Sequence, residues 1–465
     1  MVSETVRATL SSSTNQPRVF RFSGQAKVLF VLFVIFLIGA AQAYAAVSGQ
    51  RLYTLKYDGV DHKDDTAVAV AIGPKNSVYV TGASASDYAT VKYSSTGALR
   101  WVQRYVGPNA KALSAPSALA VDTRGNVYVT GVSVGVDGRE GFATVKYGPN
   151  GGLRWVKRFS GQSIFGARAS DIVIGTTGVY VTGISQGFIV IKGRFISQGI
   201  QNESYLVTIK YGFNGRKRWI RRRRWSGTDW GVPAKIALGA NDNVYVTGGG
   251  IDYNLTIKYD AVGHRLWAKK YSGLDWPAKI AVDKAGNAYV AGAGWATVSY
   301  INDDYVLVKY DTNGNRQWVR KYDGPAHSYD EAEAVETDAD GNIFVTGTSY
   351  DNTAGPSIPN SVTIKYNPAG ARQWLQRSTY LEMPAAMALD KNGNVLIAGE
   401  GMGLIFTTLK YDTNGNLLWL QFPKKAGNTS MAGDIAVDGR GAAYVTGSGT
   451  GRSGKSDFLT VKYAP

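Results

Sequence analysis

One phrase, repeated eight times, constrains this chain more than anything else in it. Each copy has a small-apolar run, an Asp/Gly turn, a Val-Tyr-Val-Thr-Gly-like element, a variable stretch and a strand ending in Lys-Tyr. The third part lies at Val78–Gly82, Val127–Gly131, Val179–Gly183, Val244–Gly248, Ala288–Gly292, Ile343–Gly347, Val395–Gly399 and Ala443–Gly447. The closing pairs are Lys92-Tyr93, Lys146-Tyr147, Lys210-Tyr211, Lys258-Tyr259, Lys309-Tyr310, Lys365-Tyr366, Lys410-Tyr411 and Lys462-Tyr463. After seven of them come a turn and a tryptophan: Trp101, Trp155, Trp219, Trp267, Trp318, Trp374 and Trp419. The eighth pair stands at the C-terminus, where no tryptophan can follow.

Each copy divides into four short β segments, as in Ala118–Asp122, Val127–Gly131, Phe142–Tyr147 and Leu153–Phe159. β-Branched and aromatic residues fill them, and Gly, Asn and Asp separate them. The turns are hairpin-like, for example 122–126 (Asp-Thr-Arg-Gly-Asn) and 412–416 (Asp-Thr-Asn-Gly-Asn). No sustained helical period interrupts the pattern. Four-stranded repeats of about 40–50 residues are the signature of propeller blades. The expectation is therefore an all-β, eight-bladed β-propeller of four-stranded antiparallel blades, with seven blades as the alternative count.

The two ends complement one another. Leu52–Tyr57 reads like the fourth strand of other copies, such as Trp101–Tyr105, with Tyr53 in the tryptophan's place. The last copy lacks that strand. The N-terminal strand is expected to complete the C-terminal blade and close the ring, which leaves no open sheet edge.

From about Leu52 to Tyr463 these phrases resemble the bacterial beta-propeller repeat (SBBP) family, whose name refers to seven blades. The resemblance implies secreted or surface proteins and no shared catalytic residues. A weaker likeness to eight-bladed quinoprotein propellers is opposed by the absence of cysteine.

The first 46 residues differ in kind. Arg7, Arg18, Arg21 and Lys27 precede an apolar run, Val28 to Ile38, and small residues follow to Ala46. This reads as a secretory signal peptide over 1–46, with 47–465 as the propeller domain. An uncleaved anchor is the competing reading, although the run is short of the roughly 20 residues a span needs. The expected location is outside the cytoplasm: extracellular, cell surface or periplasm. No membrane span is expected after signal cleavage.

With no cysteine, thiol chemistry and Cys-based metal sites are excluded, and the core must be large enough to dispense with disulfides. Net charge is +16, and removing the leader's four basic and one acidic residues leaves +13. Much of that charge falls in fourth-strand segments, where it discourages edge-to-edge aggregation. Nucleic acid is not an expected partner of an exported chain. The densest run, Arg221, Arg222, Arg223 and Arg224, is a candidate contact for an anionic polymer.

In this strand order, loops between strands two and three and between blades share one face, and they vary most in length. Variable loops on a rigid scaffold are where binding concentrates. Candidate ligand-binding residues there are Asp229, Trp230, Asp275, Trp276, Trp295 and Tyr300, because aromatic faces beside carboxylates suit sugar rings. The bland reading has these tryptophans plugging blade junctions. Residues Gln186–Glu203 are expected to form an extra hairpin on blade 3. The pairs Asp229 with Asp275, or Glu331 with Glu333, could serve glycoside chemistry.

Other motifs carry little. The two G-x-S-x-G matches are V-Y-V-T-G elements running into loops. The Asp-rich turns lack a calcium loop's final glutamate, so no metal or cofactor is expected. His62, His264 and His327 assemble into no triad. The reading is a monomeric binding scaffold for a glycan or another surface protein; the alternative is a carbohydrate-active hydrolase or lyase.

Overall fold

The computed structural model describes residues 48–161, 166–191, 199–225, 232–250, 253–274, 276–295, 303–351, 358–403, 405–422, 430–451 and 454–465. The expected signal peptide, 1–46, lies outside them. Eight separate four-stranded sheets make up the described chain, all antiparallel and, in seven of them, ordered in space as in sequence. Blade 1, for example, comprises Asp65–Gly73, Ser77–Ser84, Asp87–Tyr93 and Leu99–Tyr105 from the inside outward.

The eighth sheet is the exception. Its strands Ser430–Val437, Ala443–Thr450 and Ser456–Tyr463 are completed by Arg51–Tyr57. The pairing is antiparallel, with Tyr53 opposite Lys462 and Tyr57 opposite Phe458. The protein is an eight-bladed β-propeller closed by its own N-terminal strand, and the count of seven is set aside.

The repeated phrase encodes the packing between blades. In blade 1, Tyr79, Lys92 and Trp101 stand in register on the second, third and fourth strands. The Lys92 ammonium lies 5.0 Å from the Tyr79 ring centroid. Both Lys92 Nζ and Trp101 Nε1 donate to one carbonyl of the next blade, Pro149 O, at 2.9 and 3.1 Å. The same fork binds Phe213 O, Ala261 O, Thr312 O, Pro368 O and Thr413 O in later blades. At the closure Lys462 Nζ and the Tyr53 hydroxyl share Ser95 O, both at 3.3 Å. Tyr53 thus takes the tryptophan's role as well as its place.

The glycine ending V-Y-V-T-G is needed because a bulged inner strand crosses it closely. A Cβ on Gly82 would lie 2.1 Å from Thr66 O, and one on Gly131 would lie 2.2 Å from Ala115 O. The register shift sits at the same place in blade 1, between Ala67 and Ala69, and in blade 2, between Pro116 and Ala118. Apolar clusters span neighbouring blades, so burial couples sheets around the ring. One cluster joins Ala442, Tyr444 and Phe458 of blade 8 to Val78, Val80 and Val91 of blade 1. Each well-buried aliphatic side chain in such a cluster contributes about 1.5–3 kcal/mol.

The extra hairpin of blade 3 is present. Strands Val179–Ile191 and Gly199–Tyr211 pair continuously out to Ile191 opposite Gly199.

Candidate binding site at the channel mouth

The inner strands surround a cavity of about 610 Å³ lined by residues from all eight blades. Small residues dominate its wall, since eight strands converging on one axis leave little room. At the register position opposite the fourth residue of the V-Y-V-T-G element, blades 1, 2, 6 and 7 carry Ala69, Ala118, Ala334 and Ala386. The other four carry charge: Asp171, Lys235, Lys279 and Asp434. Glu333, at the bulge of blade 6, and Glu336 add two further acids to the wall.

Two of these carboxylates tie inner strands together. Asp434 accepts from its own chain neighbour, Ile435 N, at 2.9 Å and from Val70 N of blade 1 at 2.9 Å. Asp171 accepts likewise from Ile172 N at 2.9 Å and from Ile236 N of blade 4 at 3.1 Å. Burial lifts the Asp434 carboxyl to about 6, against the pull of those amides and of Lys279. Burial would lower Lys279, but Glu336, Asp171 and Asp434 together hold it above its usual value. Lys235 is lowered by burial. The wall is a compensated polar ring inside an otherwise apolar body.

Towards the loop-rich face, chemistry gathers where blades 5 and 6 meet. The inner strand of blade 6, Asp330–Thr337, carries Glu331 and Glu333 on either side of buried Ala332. Glu333 Oε1 accepts from the Thr348 hydroxyl at 2.9 Å, while Oε2 meets no hydrogen-bond partner. Burial, reinforced by Glu331 and only partly offset by Thr348, raises the Glu333 carboxyl to about 8. It is therefore protonated at neutral pH and can donate. Glu331 accepts from the Tyr329 hydroxyl. The Tyr329 ring is 38 % exposed and meets Tyr350 edge-on at a centroid distance of 5.9 Å. Asp303 of blade 5 is raised by burial and by the nearby Glu331 and Asp304.

The residues expected from sequence fall differently. Asp229, Trp230, Asp275 and Tyr300 lie outside the described residues. Trp276 opens the inner strand of blade 5, Trp276–Val282, and is 38 % exposed, so it does not plug a junction. Trp295 ends the next strand opposite Asp303. Of the arginine run, Arg221 donates to Gly263 O of blade 4 at 2.5 Å, and Arg222 lies 5.1 Å from the Phe159 ring of blade 2. Arg221 is half-buried in its contact, whereas Arg222, Arg223 and Arg224 are exposed. Sequence spacing pairs Glu331 with Glu333 but singles out neither Tyr329 and Tyr350 nor the channel charges. Aligning the eight phrases would have exposed the latter, as charges in a column of alanines.

Comparison with family models agrees with the fold. Residues 271–297 match the family model described as Beta-propeller repeat (SBBP). An uncharacterized WD repeat-containing protein of Acanthamoeba polyphaga mimivirus is 25 % identical over 222 residues, which is 42 % of this chain and 15 % of that protein. The chain thus spans well under a fifth of this relative's length. Among solved structures, the Neurospora crassa Pan2 WD40 domain is 9 % identical with a TM-score of 0.45, covering 90 % of this chain and 96 % of its own. Polysaccharide lyase Uly1 is 10 % identical, also with a TM-score of 0.45, covering 90 % and 100 %. The phrase of the matched segment recurs in all eight blades, consistent with the resemblance of the whole propeller to the SBBP beta-propeller repeat family.

Proposed function

We propose that this propeller is an exported, non-enzymatic binding scaffold that engages a glycan at the channel mouth between blades 5 and 6. The observation that carries the reading is the pairing of exposed aromatic rings with carboxyl groups of opposite hydrogen-bonding sense. Tyr329 and Trp276 offer faces for the C–H patches of a sugar ring. Glu331 accepts hydrogen bonds, and Glu333, neutral at pH 7, donates them. The basic leader and the apolar run Val28 to Ile38 support export. Glycan-array screening followed by calorimetry tests the reading. Tyr329→Ala and Trp276→Ala should each weaken binding about tenfold or more with unchanged thermal stability. Unaltered affinity in both variants overturns it.

A second reading, a carbohydrate-active hydrolase or lyase, is favoured by one feature: Glu333 holds a proton beside Glu331, as an acid/base pair requires. Reducing-end or unsaturated-end release from polysaccharides, lost in Glu333→Gln, would establish it. No release from any bound glycan leaves the scaffold reading standing.

A further inference from the structure

The ring closure carries a second concentration of carboxylates, on the loop-rich face and away from the blade 5–6 mouth. Asp58 follows the closing strand Arg51–Tyr57, Asp65 opens the inner strand of blade 1, and Asp457 lies at the start of the last strand. One oxygen from each falls within 4.8 Å of the others. Asp65 is 1 % exposed and Asp457 5 % exposed, and Oδ1 of each meets no hydrogen-bond partner. Burying two unpaired carboxylate oxygens against a third acid is costly unless a cation joins them.

The neighbouring cations are engaged otherwise or only distantly felt. His62 Nδ1 pairs with Asp58 Oδ2 at 2.7 Å, and Arg104 with Asp87 at 3.0 Å. Lys455 pairs with Asp64 at 3.3 Å, and Lys56 acts on Asp457 only through its field. Burial and mutual repulsion hold both Asp65 and Asp457 above the usual carboxylate range.

The molecule contains its own control. The loop into blade 6 repeats the design: Asp323 pairs with His327 at 2.6 Å, and Gly324 N donates to Asp330 at 2.7 Å. Gly59 N donates to Asp65 at 2.5 Å in the same way. Asp330 Oδ1, like Asp65 Oδ1, meets no hydrogen-bond partner, so the loop geometry with its unpaired inner-strand oxygen is a fold device and by itself implies no ligand. At blade 6, however, the third acid, Asp304, is paired with Lys321 at 3.4 Å. At the closure the third acid joins the other two.

We infer that Asp58, Asp65 and Asp457 form a calcium site that clasps the N-terminal strand, blade 1 and blade 8 together. A hard, all-oxygen donor set selects Ca²⁺ or Mg²⁺ over transition metals. The spacing suits calcium–oxygen distances of about 2.3–2.6 Å better than the tighter magnesium octahedron, with water completing the shell.

The test is calcium titration of the EDTA-stripped full chain by calorimetry and thermal unfolding. One Ca²⁺ should bind with a dissociation constant on the order of 10⁻⁴–10⁻³ M. Saturation should raise Tm by about 2–5 °C. Asp457→Asn should abolish both effects, and Asp304→Asn should leave them intact. Should Asp457→Asn fail to fold, Tb³⁺ luminescence of the unaltered chain decides: Tyr57, next to Asp58, should sensitise it and Ca²⁺ should quench it. Absence of calcium binding, or a response that survives Asp457→Asn, overturns the inference, as does Tb³⁺ emission indifferent to calcium.

Discussion

The Lys410 ammonium sits 2.9 Å from the Asp390 carboxylate, a buried ion pair in place of the link that other blades send forward. The reason lies next door. Blade 8 has no hairpin after its third strand, because Arg51–Tyr57 supplies the fourth. The gap is bridged by Ala464 N to Gln50 O at 2.8 Å, and Trp419 Nε1 is left without an acceptor. Lys410 turns back into its own blade. Removing one partner of a buried pair strands the other, so Asp390→Asn or Lys410→Met should each cost about 3–5 kcal/mol. The double variant should cost distinctly less than their sum. Urea unfolding of the four proteins measures it, and additive losses would refute the coupling.

Tyr53 gives a milder and more specific expectation. Its hydroxyl donates to Ser95 O, where six other blades use an indole. Tyr53→Phe should lose about 1 kcal/mol. Tyr53→Trp should be better tolerated than Tyr53→Ala, because it restores the donor used elsewhere around the ring. Thermal unfolding ranks the three; a tryptophan variant no better than alanine would deny the equivalence.

The fold was legible because periodic demands write themselves periodically. Tyr79, Lys92 and Trp101 recur as a set, since every blade must meet its neighbour in the same way. Even the closure was readable, through Tyr53 and the missing last strand. The candidate site was legible only in part, for the opposite reason. Tyr329, Tyr350 and Glu333 occur where one blade departs from the rest, and a single departure has no internal repeat to set it against. Glu331 and Glu333 could be paired from spacing, but the protonation of Glu333 comes from its burial, reinforced by Glu331 and opposed by the Thr348 hydroxyl. The arginine run was legible only as charge. Strand register ties Arg221 to Gly263 O, a contact between blades that sequence proximity does not reveal.

Asp434 should matter to the ring more than its place among alanines suggests. Its carboxylate holds Val70 N of blade 1 and Ile435 N at once. Asp434→Ala should cost about 1–3 kcal/mol in urea unfolding, because two backbone donors then depend on channel water. Asp434→Asn, which keeps one acceptor oxygen, should lose less. A cost under about 0.5 kcal/mol for the alanine variant would show that channel water replaces the carboxylate fully.

Stability should fall as pH rises through the neutral range, and Glu333 should be a principal cause. Its folded carboxyl titrates at about 8, above the ordinary value of 4.5. Between those values the folded chain holds a proton that the unfolded chain has released, so raising the pH favours unfolding. This contribution is fully present below about pH 4.5 and is lost on passing through about pH 8. Its slope is at most about 1.4 kcal/mol per pH unit, reduced by whatever water the channel admits. Asp434, raised to about 6, acts in the same sense but only at the acidic end of the window. Glu333→Gln should therefore flatten the unfolding free energy between pH 6 and 8, while below pH 6 it should remove only its own share and leave the slope that Asp434 contributes. An undiminished slope above pH 6 in that variant would place the responsible proton elsewhere.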